Sequence, residues 1–494
     1  MRQISLPLEH LAKWSQFNGV QLFDVAIDPH IIEEKTGVDK GGGLLAQADH
    51  AETEPLLVVP LDLVLSKDAV SEAAKADQNL RELIEAASSL FQYPRTAVLL
   101  FLLYQMTINS PDNNNDDDDD NHTLLRVNNP FADYVKFLPK EYPLPTFYSQ
   151  GERDLLVGTS LADALGQKLA SLEKEFDGLK AATEHIPWCQ RFWWDDITGC
   201  LDIGDWKLAD AMYRSRALDL PRGASVGMVP VVDMANHASI DHYNARFEVD
   251  EGTGSVLLVV QDEKSIEAGE EVTIMYGAGG ACEMIFSYGF LEERADSARE
   301  MFLSLSIPAD DPLRLAKIRF AQQEAAPGVR IYVDGDDKVR WDSTFVWWAC
   351  VNQEDGLDFR VEQTVDGDMD LKATWKNGDL AAHELRAALL DDDRLRDVFV
   401  LRATVMVQQR VEEQGMRLAA SEEEYDQVLA NDDQIRPWVY KTIGRLRKLE
   451  LDLLTRAFQT LEQEKLRLLE STVVRAYLRQ GADGSEGDYP EDFS

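Results

Sequence analysis

Apolar residues recur along this chain in three rhythms, and changes of rhythm divide it. Val20 to Ile27 alternates as a half-buried strand does, and Leu11 to Trp14 before it reads as helix. Leu56 to Pro60 is a short buried strand whose ladder Pro60 ends. Residues 66–200 are mostly helical. Within them Ala97 to Tyr104 is nearly all apolar, but it falls short of the roughly 18 residues of a membrane span and predicts a buried helix. Mixed structure returns over 201–292: a helix from Trp206 to Ala217, strands from Ser255 to Gln261 and from Glu271 to Tyr276, and a short helix from Ala281 to Tyr288.

Beyond residue 292 the character changes again. Val329 to Val333 and Lys338 to Trp341 flank Asp334-Gly335-Asp336-Asp337, a hairpin signature, and Phe359 to Trp375 around Asp366-Gly367 predicts a second hairpin. Residues 381–480 are strongly helical. There Ile443, Leu446, Leu449, Leu453, Leu454, Phe458, Leu461 and Leu468 recur at three- and four-residue steps, a core face by the simplest reading and a partner-binding helix by the sharper one. Two polar stretches lack the means to bury apolar surface: the Asn/Asp run 113–121 and the acidic tail 481–494. The expected organisation is therefore 1–65, a helical insert over 66–200, 201–292, a C-terminal domain over 293–480, and the tail.

Charge and cysteine usage narrow the function classes. A net charge of −40 disfavours nucleic acid as a direct partner and suits a basic protein. Four scattered cysteines, with no Cys-x-x-Cys, argue against a disulfide scaffold or a Cys-rich zinc module. The N-terminus lacks a signal-peptide apolar core. A monomer in the cytoplasm or nucleus, with no membrane segment, is the expectation.

Three local patterns carry candidate chemistry. Gly41-x-Gly43-x-x-Ala46, with Asp62 further on, imitates a dinucleotide fingerprint, but no apolar strand precedes it and no apolar helix follows. A loop where backbone approaches a ligand, or a bare turn, are the readings left. Asp233 and His237, with His242 nearby, have the spacing of metal ligands on a helix, yet Pro230 and the Val-Val run predict a strand entering a turn, so no metal is expected. Tyr276 ends a strand, and taken alone it reads as a core tyrosine with a hydrogen-bonded hydroxyl.

Joint order changes that reading. Gly41-Gly-Gly-Leu44, Val59-Pro60, Phe131-Ala-Asp-Tyr134 with Leu138-Pro139, Glu152 leading to Leu156-Val-Gly158-Thr159, Arg214-Ser215-Arg216-Ala217, Asp233-Met-Ala-Asn236-His237, the Gly-Glu-Glu strand running to Tyr276, and Ser287-Tyr288-Gly289-Phe290 follow one another. This series over roughly residues 8–292 resembles SET-domain protein-lysine methyltransferases, in the subgroup of plant Rubisco large-subunit and fungal ribosomal-protein lysine methyltransferases. The two hairpins after residue 328 depart from that subgroup's mainly helical C-terminal domain.

The resemblance implies an α+β fold: a β-rich SET domain split by a helical insert, then a mainly helical C-terminal substrate-binding domain. It implies S-adenosyl-L-methionine as cofactor, held by Gly41, Gly43, Arg216, Asp233, Asn236, His237, Tyr276, Tyr288 and Phe290. Tyr276 is the expected catalytic residue, and Ser215 is expected to border the substrate. The implied function is lysine methylation of a non-histone protein, with a ribosomal protein the leading candidate. Histidine methylation and a non-catalytic SET-domain interaction protein are the alternatives.

Overall fold

The computed structural model describes residues 1, 3–32, 39–111, 129–221, 226–322, 326–363, 369–431 and 434–483. The Asn/Asp run, the turn at Asp366-Gly367 and the tail beyond residue 483 lie outside the described residues. Two compact units emerge. The first comprises Met1–Phe147, Leu165–Ala278 and Ile285–Glu292; the second comprises Tyr148–Ala164, Gly279–Met284 and Glu293–Ser494. Residues 148–164, which chain order places in the helical insert, thus belong to the second unit.

The first unit carries ten short strands: β1 (Gln21–Leu22), β2 (Val25–Asp28), β3 (Gly43–Ala46), β4 (Pro55–Val59), β5 (Ala217–Leu218), β6 (Gly227–Met228), β7 (Asn236–His237), β8 (Ala245–Val249), β9 (Val256–Val260) and β10 (Glu271–Ile274). One sheet runs β1-β4-β9-β8, all antiparallel. A second runs β2-β3-β10-β7, where β10 and β7 are parallel and bring Thr273 opposite Asn236 and Ile274 opposite His237. β5 and β6 pair separately. Helix Pro94–Asn109 is the apolar heart of this unit, buried from Thr96 through Asn109. Pro94 at its first position costs nothing, because the N–H that proline lacks has no intrahelical partner there.

Several predicted elements break where backbone geometry changes. The single strand expected over Val20 to Ile27 is two strands in different sheets, because Asp24 adopts a left-handed φ of 45° and turns the chain between them. The helix expected from Trp206 to Ala217 spans Ile203–Arg214, and Ala217 joins β5. Its start is fixed by a reciprocal cap, in which Asp202 accepts from the Gly204 and Asp205 backbone while Asp205 accepts from the Asp202 N–H. β10 stops at Ile274, so Tyr276 lies two residues beyond the strand that was expected to carry it. Asn236 and His237, expected in a turn, form the short strand β7. The helix expected from Ala281 to Tyr288 is one α-turn, Ala281–Glu283, running into the wider π-turn Met284–Tyr288.

The second unit holds two three-stranded antiparallel sheets and long helices. β11 (Glu300–Ser304), β12 (Gly328–Val333) and β13 (Val339–Asp342) form one sheet; β14 (Leu357–Gln363), β15 (Met369–Trp375) and β16 (Gly378–Leu380) form the other. Both expected hairpins are therefore present, as β12–β13 and β14–β15. Helices Arg396–Ala420 and Pro437–Leu469 pack together. Ile443, Leu446, Leu453, Leu454, Leu461 and Leu468 of the predicted stripe are buried, and Leu449 and Phe458 are half-buried, so the stripe is a core face. Among the described residues no helix is long and apolar enough to cross a membrane.

Candidate active site

The C-terminus of helix Ile203–Arg214 delivers Arg214, Ser215 and Arg216 to the interior of the first unit. Opposite them, Val231 holds a φ of 73°, a conformation a β-branched residue resists, and starts the 3-10 turn Val232–Met234 that presents Asp233. Strain of this kind concentrates at functional sites, where surrounding structure must enforce it. The turn is fixed by the Asp233 N–H donating to Val229 and the Ala235 N–H donating to Val232.

The Asp233 side chain is fully buried and committed to two donors. Arg216 Nη1 donates to its backbone carbonyl at 3.0 Å and to Oδ2 at 3.1 Å; the Tyr134 hydroxyl donates to Oδ2 at 2.7 Å. Burial by itself would lower the Arg216 guanidinium, but Asp233 and the neighbouring tyrosines hold it above its ordinary value. Burial pushes the Tyr142 hydroxyl up to about 12, and the tyrosine faces Arg216 and Ser215. Three polar atoms here are buried without a hydrogen bond: Asp233 Oδ1, Arg216 Nε and the Tyr142 hydroxyl. Buried polar groups are normally satisfied, so such a cluster is what a polar ligand would complete.

Tyr276 stands beside this cluster. Its hydroxyl donates to the Ala235 carbonyl at 3.1 Å, and its own carbonyl accepts from the Tyr288 hydroxyl at 3.2 Å. Burial raises its ionisation well above the ordinary phenol range, against the pull of Arg216, so it stays a protonated donor. Ring centroids lie 4.6 Å apart for Tyr276 and Tyr288, 5.3 Å for His237 and Tyr276, and 6.0 Å for His237 and Phe290. Asn236 Nδ2 donates to Glu271 Oε1 at 2.8 Å and to the Gly42 carbonyl at 3.2 Å, and Lys40 pairs with the other oxygen of Glu271.

The structure thus gathers Arg216, Asp233, Asn236, His237, Tyr276, Tyr288 and Phe290. Gly43 belongs with them: a Cβ there would lie 2.4 Å from Ile31 Cγ1 and 2.9 Å from Asn236 Nδ2, so only glycine permits the approach. Gly41 is half-buried, with φ +82° and no neighbour around its missing side chain. It fixes the bend of the loop. The Ser215 hydroxyl turns back onto the Ala211 carbonyl at 2.7 Å. Tyr142 and Glu292 carried no signal as site residues, Tyr134 was visible only within the Phe131-Ala-Asp-Tyr134 motif, and Glu271 only within the Gly-Glu-Glu strand.

The metal reading of Asp233, His237 and His242 finds no support in the geometry. Asp233 serves Arg216 and Tyr134, both ring nitrogens of His237 are engaged, and His242 is exposed and bonded to Ser239. Among the described residues no group of three or more His, Cys, Asp or Glu is placed to hold a metal ion.

Comparison with known proteins follows the same lines. No family model matches the chain. SET domain-containing protein 8 of Schizosaccharomyces pombe is 27% identical over 382 residues, covering 75% of this chain and 79% of that protein. The Pisum sativum chloroplastic ribulose-1,5 bisphosphate carboxylase/oxygenase large subunit N-methyltransferase is 25% identical over 318 residues, 63% of this chain and 56% of its own. Among solved structures, the SET domain of LSMT bound to methyllysine and AdoHcy aligns with a TM-score of 0.62 at 20% identity, covering 98% of this chain and 100% of that one. In fold this chain matches the SET domain of LSMT, and in sequence it is similar to a SET domain-containing protein and to protein-lysine methyltransferases of the Rubisco large-subunit type.

Proposed function

We propose that this protein is an S-adenosylmethionine-dependent protein-lysine N-methyltransferase acting on a non-histone protein, with a ribosomal protein as the leading substrate class. The observation that carries the reading is Tyr276: a half-buried, protonated phenol, bonded at its hydroxyl and its carbonyl, inside a ring cluster beside the Arg216–Asp233 pair. When bound, S-adenosylmethionine supplies an electrophilic sulfonium methyl. The donor set fits such a ligand, because Arg216, Asp233 and Tyr142 offer buried polar capacity of both signs and the aromatic rings offer flat apolar surface. Arg216, Asp233, Asn236, His237, Tyr288, Phe290, Gly43 and the Gly41 loop are the residues we assign to holding it. Ser215 and Tyr276 border the acceptor.

The chain's own task is to present a neutral amine in line. A free lysine with pKa about 10.4 is neutral only a few parts in ten thousand at pH 7, a penalty of roughly 4.6 kcal/mol. A water-excluding ring cluster lowers that pKa by desolvation. The Tyr276 hydroxyl and the Ala235 carbonyl orient the amine, the displaced proton leaves to solvent, and most of the gain comes from positioning. The net charge of −40 supports a basic protein partner, engaged by a monomer in the cytoplasm or nucleus.

A histidine acceptor is the second reading, since the site's rings would accept an imidazole as well as an alkylamine. Incubating the protein with methyl-labelled S-adenosylmethionine and a cell lysate, then mapping the labelled residue by mass spectrometry, distinguishes the two. Label on lysine of a basic, non-histone protein is expected. Label on histidine replaces the reading with the second, and no label leaves a non-catalytic interaction protein.

A further inference from the structure

We infer that Glu292 is a positioning residue that fixes the tautomer of His237 and, through that ring, the placement of Tyr276. The inference rests on the reading of Tyr276 given above. β10 ends at Ile274, so the Tyr276 N–H has run past the ladder and needs an acceptor of another kind. His237 supplies it. Its backbone lies opposite Ile274 in the parallel register, and its ring Nδ1 accepts the Tyr276 N–H at 3.2 Å.

A nitrogen that accepts that bond carries no proton. The ring proton of neutral His237 therefore sits on Nε2, which donates to Glu292 Oε1 at 2.8 Å. The imidazole is buried, its side chain only 4% exposed, so solvent cannot substitute for either bond. The consequence reaches the phenol. Tyr276 is held at three points: its N–H by His237, its carbonyl by Tyr288 and its hydroxyl at Ala235. Without a carboxylate at Nε2, the proton can move to Nδ1, where it would face the Tyr276 N–H, donor against donor. The backbone that aims the phenol then loses its anchor, while Asn236, Arg216 and Asp233 keep their hydrogen-bond partners.

The test uses the full chain with Glu292→Ala and Glu292→Gln. Three quantities are read: imidazole 15N shifts of His237, S-adenosylmethionine affinity by calorimetry, and the rate of label transfer into lysate protein. The parent should show the Nε2–H tautomer. Glu292→Ala should mix or invert it and slow transfer at least tenfold, with cofactor affinity within threefold. Glu292→Gln, whose amide oxygen accepts the same bond, should retain the tautomer and at least a third of the rate. Glu292→Met, lacking any acceptor oxygen, carries the same expectation as alanine and serves if that variant fails to fold. An Nε2–H signal unmoved by either Glu292→Ala or Glu292→Met overturns the inference, as does a glutamine variant as slow as alanine. A parent that transfers no label overturns the methyltransferase reading and the catalytic half of this one, whatever the tautomer shows.

Discussion

The half-buried Arg216 and the buried Asp233 carboxylate in the first unit, and the buried Arg447 and Glu450 in the second, differ in the kind of hydrogen bonding they have. Glu450 accepts from the Ser160 N–H and hydroxyl. Arg447 donates to the carbonyls of Val157 and Leu418, to the Ser421 hydroxyl and to Glu422. Nearby, Glu152 accepts three bonds from Arg436. These charges saturate backbone ends and tie segments together. Among the described residues, every charged side-chain atom buried without a hydrogen bond lies instead in the first unit, on Asp210, Arg214, Arg216 and Asp233. Satisfied buried charge serves architecture, whereas unsatisfied charge beside a ring cluster is capacity held for a ligand.

Four substitutions press on that contrast. Asp233→Ala should cost the most, roughly 3–5 kcal/mol, because it leaves the Arg216 cation buried and unpaired; chemical denaturation measures it, and a loss under 1 kcal/mol would mean the pair is not the centre of the first unit. Tyr276→Phe keeps the ring and removes only the hydroxyl. It should lose kcat by about 100-fold or more with cofactor affinity unchanged, since a core hydroxyl alone contributes only about 1 kcal/mol to stability. Turnover within a few-fold of the parent would return Tyr276 to an ordinary core tyrosine.

The second unit predicts the opposite pattern. Burial raises the Glu450 carboxyl to about 7, against the bonds from Ser160 that lower it. A raised carboxyl favours the folded state while protonated, so this contribution is present below the ordinary value of 4.5 and is lost as pH rises through 7. Glu450→Gln should therefore stabilise at pH 8 by about 1–2 kcal/mol, change little at pH 5, and leave methyl transfer intact. A variant that loses activity without unfolding would break the contrast from the other side. The smallest effect is expected at Asn236→Ala, which removes two hydrogen bonds near the cofactor residues. About a tenfold weaker S-adenosylmethionine affinity in a folded protein is the outcome calorimetry should show, equivalent to roughly 1.4 kcal/mol.

Legibility in the sequence followed locality. The β12–β13 hairpin, the buried helix Pro94–Asn109 and the core stripe of Pro437–Leu469 rest on periodicity and turn residues within short windows, and each is present. Breaks were harder to read. Nothing in the composition of Val20 to Ile27 marks Asp24 as the residue that passes the chain from one sheet to another. Likewise Pro230 and the valines suggested a strand entering a turn; the strand β6 ends earlier, at Met228, and Val231 begins a strained 3-10 turn.

By itself, the sequence determined that Arg216, Asp233, Asn236, His237, Tyr276, Tyr288 and Phe290 occur in the order of one family's site, and it placed most of them near element ends. Tertiary structure alone decided how they act on one another. The pairing of Asp233 with Arg216 spans seventeen residues, the Tyr276 bond to His237 thirty-nine, and the His237 bond to Glu292 fifty-five. Such contacts depend on strand register and on one left-handed residue, not on the chemistry of neighbours in the chain. Periodicity reports which face of an element is buried; it carries no record of which distant polar group will be buried against it.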